Sequence, residues 1–516
     1  MTARGNDKAK NASKLLGIIL LYAALTLPFL TTFPPVDNVG DESWMMNISV
    51  ELLRSGRPVA SIFRDTPVGE TAQISTLWIY SGVLTGFFSL LGPQVWAGRF
   101  LSFLCGVLVL VLTYLFGKQL GGSKVGLAAC FLLSTSLAFS WHSREMRPDM
   151  MLLAFTTLSL YLFHRAWAEK RDGLLFLSAL VASIGVEVHP HSAIFSLSML
   201  FMYAIYFRKR ILSRSTLLLV AGFSAGLVLW VLCNYLPYSA SSFETVHGKY
   251  LPPVLKENVL HLAGKGLLDL LWIFSNLKLL EVKYHSHTGT ATAYLCLFVV
   301  VPAFTFGRNK HILFLLSFAA LSLFLRTFMT GSWNWFHFSA FLSVCFLVVS
   351  VAIFDIADRL SGKARTLFST IMIAALAAPG TWDIMRNTVD MMKYDHGTVM
   401  EKVARGVPPQ GNVLGPPFYY PAFVDRENSF VSYLFLEGKC PDFAAEMKSL
   451  AIDYILMDTN FRVRASRWCS EEYYRKQVLG FLDSSATLVN VIEINYPNEY
   501  AYDRLISSAY LFRVNH

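Results

Sequence analysis

Two acidic residues, Asp41 and Glu42, stand side by side just past the first long apolar run, in Val36-Asp37-Asn38-Val39-Gly40-Asp41-Glu42-Ser43-Trp44. A carboxylate in such a place can take a proton from a hydroxyl or amine as a general base. The same pair also suits the cap and first turn of a helix, so the dipeptide alone leaves both readings open. A second charged stretch, Trp141-His142-Ser143-Arg144-Glu145-Met146-Arg147-Pro148-Asp149, joins two apolar runs. Each guanidinium presents a planar fork of donors, so Arg144 and Arg147 suit a phosphate; anchoring to lipid headgroups is the plainer alternative. Arg99 falls one turn inside an apolar run, in Val95-Trp96-Ala97-Gly98-Arg99-Phe100. An arginine that deep needs a partner, and Asp41, Glu42 or a ligand phosphate are the candidates.

Histidines extend the set. Glu187-Val188-His189-Pro190-His191 and His285-Ser286-His287 are possible metal pairs, but neither spacing matches the usual zinc signatures and no cysteine accompanies them. Substrate or phosphate contact is the preferred reading for His189 and His191. A divalent metal stays possible at His285 and His287, and no other cofactor is expected. His337, in Trp333-Asn334-Trp335-Phe336-His337, suits either a sugar or phosphate contact or an aromatic belt at the membrane interface.

The elements that must position these residues are mostly membrane spans. Of the 516 residues, 54% are hydrophobic and 15% are charged, against roughly 25% charged in soluble domains. Apolar runs near 15–33, 94–117, 123–141, 149–168, 173–188, 192–207, 215–237, 291–307, 311–328, 334–354 and 366–382 can each approach a bilayer crossing. That makes about eleven spans, the first an uncleaved one. The run 74–91 is read as an interfacial helix, with Trp78 and Tyr80 at headgroup depth.

Charge sets the orientation. With a cytoplasmic N-terminus, the inside loops hold Lys118, Lys124, Lys170, Arg171, Arg208, Lys209, Arg210, Arg214, Arg308, Lys310, Arg359, Lys363 and Arg365. The short outside loops hold only Arg144, Arg147 and Arg326, a strong positive-inside bias. The net charge of +9 therefore reflects topology rather than nucleic-acid binding. Three segments emerge outside: the loops 34–93 and 238–290, and a tail from 384 to 516. The first of these loops holds the acid pair. The second contains a further membrane-hugging stretch at 259–280.

The expected architecture is a mainly α, polytopic membrane domain over 1–383 and a small extracytoplasmic α/β domain over 384–516. In the tail, Tyr454–Met457 and Leu488–Ile492 read as strands. Cys440 and Cys469 fall there too, and could pair if the tail is extracytoplasmic. The other five cysteines lie in apolar runs and read as small buried hydrophobes.

In order along the chain come a first span followed by Gly40-Asp41-Glu42, a surface helix, Ala97-Gly98-Arg99-Phe100, and Arg144-x-x-Arg147-Pro148-Asp149. This series resembles the GT-C membrane glycosyltransferases, and among them protein O-mannosyltransferases and lipid A aminoarabinose transferases. It covers residues 15–210 well and the later spans loosely. The resemblance implies transfer of a sugar, with inversion, from a polyprenyl-phosphate donor to a protein, glycan or lipid acceptor on the outer face of the cell membrane. It also implies that Asp41 is the base, with Glu42 beside it, and that Arg99, Arg144, Arg147 and Asp149 surround the donor phosphate and sugar. His189–His191 stands where aminoarabinose transferases tend to carry a lysine, and Gly69–Gln73 departs from their Lys-Pro-Pro-like lead into the surface helix. The rival readings are a lipid-linked sugar flippase or transporter, which calls for charges near mid-membrane and repeated halves, and a non-catalytic membrane scaffold.

Overall fold

The computed structural model describes residues 2–32, 41–63, 77–235, 309–330, 341–391, 395–426, 429–433, 440, 442–458, 461, 469–498 and 501–515. The stretch 259–280, His285, His287 and His337 lie outside these residues.

Helix α1 (Thr2–Thr26) stops ahead of Pro28, which has no N–H to continue the ladder, and the chain resumes as the short α2 (Phe29–Thr32). Asp41 opens α3 (Asp41–Ser55), so its carboxylate and that of Glu42 sit at the favourable end of the helix dipole. Helix α4 (Trp78–Leu91) has 14 residues. At 1.5 Å per residue that is about 21 Å, too short for a hydrocarbon core of about 30 Å. It buries Tyr80, Ser81, Leu84 and Phe88 against its neighbours and leaves Val83, Leu90 and Leu91 exposed. Tyr80, expected with Trp78 at headgroup depth, is 1% exposed and faces the interior, because its side of α4 is the one that packs.

The bundle continues with α5 (Val95–Gly121), α6 (Ser123–Ser134), α7 (Leu137–His142), α8 (Asp149–Glu169), α9 (Gly173–Ile184), α10 (Ser192–Tyr206) and α11 (Arg214–Trp230). After these come α12 (Lys310–Thr330), α13 (Leu342–Ala357) and α14 (Gly362–Met391). Helices α5 and α6 cross backbone to backbone: a Cβ on Gly117 would stand 2.6 Å from the Gly126 Cα.

By length and composition, three described helices can cross a membrane: Val95–Gly121, Arg214–Cys233 and Gly362–Val389. Six further apolar helices are shorter. About eleven spans is therefore more than the described helices establish. The run expected at 123–141 shows why. It breaks after Ser134, where the Thr135 hydroxyl turns back to donate to the carbonyls of Phe131 and Leu132, at 3.0 and 3.2 Å.

Helix α14 runs unbroken past residue 383, so the tail's own elements begin with α15 (His396–Gly406). Its sheet orders β2 (Ser429–Ser432), β1 (Asn412–Gly415), β3 (Tyr454–Met457), β5 (Ala501–Val514) and β4 (Ala486–Asn498). Strand β1 runs parallel to β2 and β3, whereas β5 is antiparallel to β3 and β4. Both expected strands are present, one as β3 and the other inside β4. Cys440 and Cys469 form a disulfide, with Cα atoms 5.4 Å apart.

The tail is seated on α3. Arg54 donates to the carbonyl of Val424, just after the 3₁₀ helix Pro417–Phe423, whose aromatic side chains are buried. Arg99 lies near the start of α5 and Lys118 near its end. The acid pair and the tail thus gather at the end of the bundle opposite the basic loops.

Candidate active site

Glu42 is 3% exposed, and its two oxygens receive three donors. Arg99 Nε donates to Oε1 at 2.9 Å and Nη2 to Oε2 at 2.8 Å, a fork-on-fork pair. The Met146 backbone N–H also donates to Oε1, at 2.7 Å. The turn that carries Met146 lies directly on α5: a Cβ on Gly98 would meet the Met146 sulfur at 2.0 Å, so any larger residue there would force the methionine side chain to shift. The partner required by the depth of Arg99 is therefore Glu42. Arg99 is itself fully buried, and its Nη1 reaches the Leu30 carbonyl at 3.5 Å.

Arg147 lies between two carboxylates. Its Nη1 is 2.7 Å from Asp41 Oδ2, and its Nε donates to Asp149 Oδ2 at 2.9 Å. These two acids differ in exposure. The Asp41 side chain is 27% exposed and that of Asp149 only 2%. Pro148, with φ −70°, sets the start of α8, so Asp149 falls in that helix's first turn and is fixed by the helix itself.

Arg144 points elsewhere. It is fully buried, its guanidinium lies 3.5 Å from the centre of the Phe29 ring, and Nη2 donates to the Leu25 carbonyl at 3.0 Å. Both groups belong to the break between α1 and α2. His189 and His191 stack at 4.4 Å between ring centres, and the His191 backbone N–H donates to His189 Nδ1 at 3.1 Å. His189 lies within electrostatic reach of Asp149, as does His142.

His142 and Glu145 carry a contact that sequence reasoning passed over. His142 Nδ1 is 3.3 Å from Glu145 Oε2, and Trp141 Nε1 donates to Glu145 Oε1 at 3.0 Å. All three are buried. The signal was present as a histidine and a glutamate three residues apart in a charged turn. His396 of α15 was missed as well. It is 4% exposed and stands close enough to Arg99 to feel its charge. Among the described residues, no group of three or more His, Cys, Asp or Glu is placed to hold a metal ion.

A cavity of about 450 Å³ opens beside the start of α5. Met46, Trp96 and His396 line it, and Asp395, Glu401 and Asp425 of the tail add carboxylates, with no lysine or arginine among the described residues of its walls.

The helical bundle, with an acid pair opening α3, buried arginines against it and a tail seated on the acid-bearing helix, resembles the GT-C fold of solved membrane enzymes. ArnT from Cupriavidus metallidurans, solved bound to undecaprenyl phosphate, superposes with a TM-score of 0.61 over 98% of each chain, at 11% identity. The oligosaccharyltransferase of Archaeoglobus fulgidus, in complex with zinc and sulfate, gives 0.56 over 90% of this chain and 70% of that one, at 12% identity. Residues 78–233 match the family described as dolichyl-phosphate-mannose-protein mannosyltransferase. An uncharacterised protein of Aquifex aeolicus (strain VF5) is 29% identical over 147 residues, and the match spans 28% of either chain.

Proposed function

We propose that this protein is an inverting glycosyltransferase that moves a sugar from a polyprenyl-phosphate donor to an acceptor on the extracytoplasmic face of the cell membrane. One observation carries the reading: Arg147 holds an accessible carboxylate, Asp41, on one side and a buried one, Asp149, on the other.

The polyprenyl tail confines the donor to the bilayer, so its phosphate stays at headgroup level, where Arg147 lies. Asp149, fixed by α8, aims the guanidinium. The arriving phosphate competes for Nη1 and releases Asp41, which becomes a free base only when donor is present. The acceptor oxygen then attacks the anomeric carbon as the bond to the phosphate oxygen breaks. Asp41 takes the acceptor's proton, and the electron pair leaves with polyprenyl phosphate. Arg147 stabilises the charge that grows on the leaving phosphate. A single displacement inverts the anomeric centre.

Glu42 and Arg99 act as a brace in this reading, because their polar atoms are spent on one another and on the backbone. Arg144 holds the exit of the first helix rather than the phosphate. His189 is kept as a sugar contact beside Asp149, with His191 stacked behind it. The cavity at Trp96 supplies the acceptor's approach, since its carboxylates repel phosphate and admit hydroxyls or amines. The disulfide of the tail supports an oxidising compartment and hence the outer face.

The reading is tested by mass spectrometry of envelope glycans and glycolipids from cells with and without the protein. Loss of one sugar from one acceptor class is the expected result. An unchanged glycan profile together with lipid-sugar flux in proteoliposomes would favour a flippase.

A further inference from the structure

Tyr80 lies in the first turn of α4 and is 1% exposed. Its hydroxyl is buried and has no hydrogen-bond partner among the described residues. A phenylalanine would fill the same space without the cost of an unsatisfied hydroxyl. Serine and threonine hydroxyls in a helix can turn back to the carbonyl of the preceding turn, but a phenol is held too far from its own backbone to do so. The group must therefore find its partner elsewhere.

Its surroundings indicate where. Tyr80 lies within electrostatic reach of Glu42, Arg147 and Asp149 at once. The oxygens of Glu42 are already taken by Arg99 and Met146. Helix α4 is fixed by other means: Ser49 Oγ donates to the Ser81 carbonyl at 3.4 Å, and Thr85 Oγ1 to the Ser49 carbonyl at 3.1 Å. The ring is thus held by packing, and the hydroxyl is spare. Burial pushes the phenol well above its ordinary pKa, so it keeps its proton and can donate to an anion.

We propose that Tyr80 is a further ligand contact of this site: its hydroxyl donates a hydrogen bond to the phosphate of the polyprenyl-phosphate donor, beside Arg147. A phosphate offers more acceptor positions than one guanidinium can fill, and the phenol supplies a neutral donor from the side of α4. This assignment rests on the donor reading given above.

The experiment compares wild type and Tyr80→Phe in nanodiscs, using undecaprenyl phosphate as the probe. Binding is read by titration, and the thermal midpoint is read without ligand. Tyr80→Phe is expected to bind about tenfold more weakly, with its ligand-free midpoint unchanged or raised. Equal affinity in the two proteins would overturn the assignment of Tyr80 and leave the donor reading standing. A lowered ligand-free midpoint with unchanged affinity would assign the hydroxyl a structural role instead. Absence of binding by the wild type would overturn both readings.

Discussion

Arg99 and Glu42, 57 residues apart in sequence, join through two parallel hydrogen bonds of 2.9 and 2.8 Å, with both side chains withdrawn from solvent. The pair ties the acid-bearing helix to α5, and the Met146 N–H adds the turn before α8. Three segments that are distant in sequence are fixed at one carboxylate.

Breaking that pair from one side leaves a buried charge without its counterpart. Glu42→Gln or Arg99→Met should each destabilise the protein by about 3–5 kcal/mol, and the double substitution by less than the sum. Thermal or denaturant unfolding in detergent, arranged as a double-mutant cycle, measures this. Additive losses would show that the two groups act independently.

The two arginines of the turn should separate by phenotype. Arg147→Ala removes the group between Asp41 and Asp149, so it should weaken binding of polyprenyl phosphate about 10–100-fold and also cost stability, because the buried Asp149 loses its counterpart. Arg144→Ala removes a buried stack on Phe29 and a donor to the Leu25 carbonyl. It should cost about 2–4 kcal/mol of stability. Lipid titration and melting of both variants distinguish the roles, and the reverse pattern would exchange them.

These roles were partly legible in the sequence. Charges at the ends of apolar runs are costly, so Asp41, Glu42, Arg99 and Arg147 stood out before any fold was known. The choice between them did not. Residue type cannot say that Glu42 faces Arg99 while Asp41 faces Arg147, because one helical position, about 100° of rotation, decides it. That Tyr80 is buried was hidden for the same reason: an aromatic near a membrane surface suits either face of a helix lying there. The strand Tyr454–Met457 was found with its full range because a short apolar run flanked by polar residues has few other options. The break after Ser134 was hidden, since small hydroxyl residues are apolar enough to pass within a span.

Acid should weaken the seat of the tail through His396. Burial, with Arg99 nearby, pushes its imidazole down to about 3 from an ordinary value of 6.5. The unfolded chain therefore binds a proton below about pH 6.5 that the folded protein refuses. Stability is fully present above that pH and falls as pH drops from 6.5 towards 3, by up to about 1.4 kcal/mol per pH unit from this group. Melting between pH 7.5 and 5 should show a shallower decline for His396→Gln than for wild type. Equal slopes would remove His396 from the effect.

Reduction should loosen the tail alone. The Cys440–Cys469 bridge closes a loop with a sequence separation of 29 residues, worth about 2–4 kcal/mol. Melting with and without reductant, followed by proteolysis, should show earlier cleavage after residue 395 while the helical bundle persists. Identical digestion patterns would contradict this.

The most direct test follows label from a polyprenyl-phosphate sugar into envelope acceptors, in membranes carrying wild-type protein or Asp41→Asn. The substitution keeps the size of the side chain and removes its basicity. The expected result is loss of transfer, with polyprenyl-phosphate binding retained. Full transfer by Asp41→Asn would contradict the role of Asp41 as the base that the donor phosphate releases from Arg147.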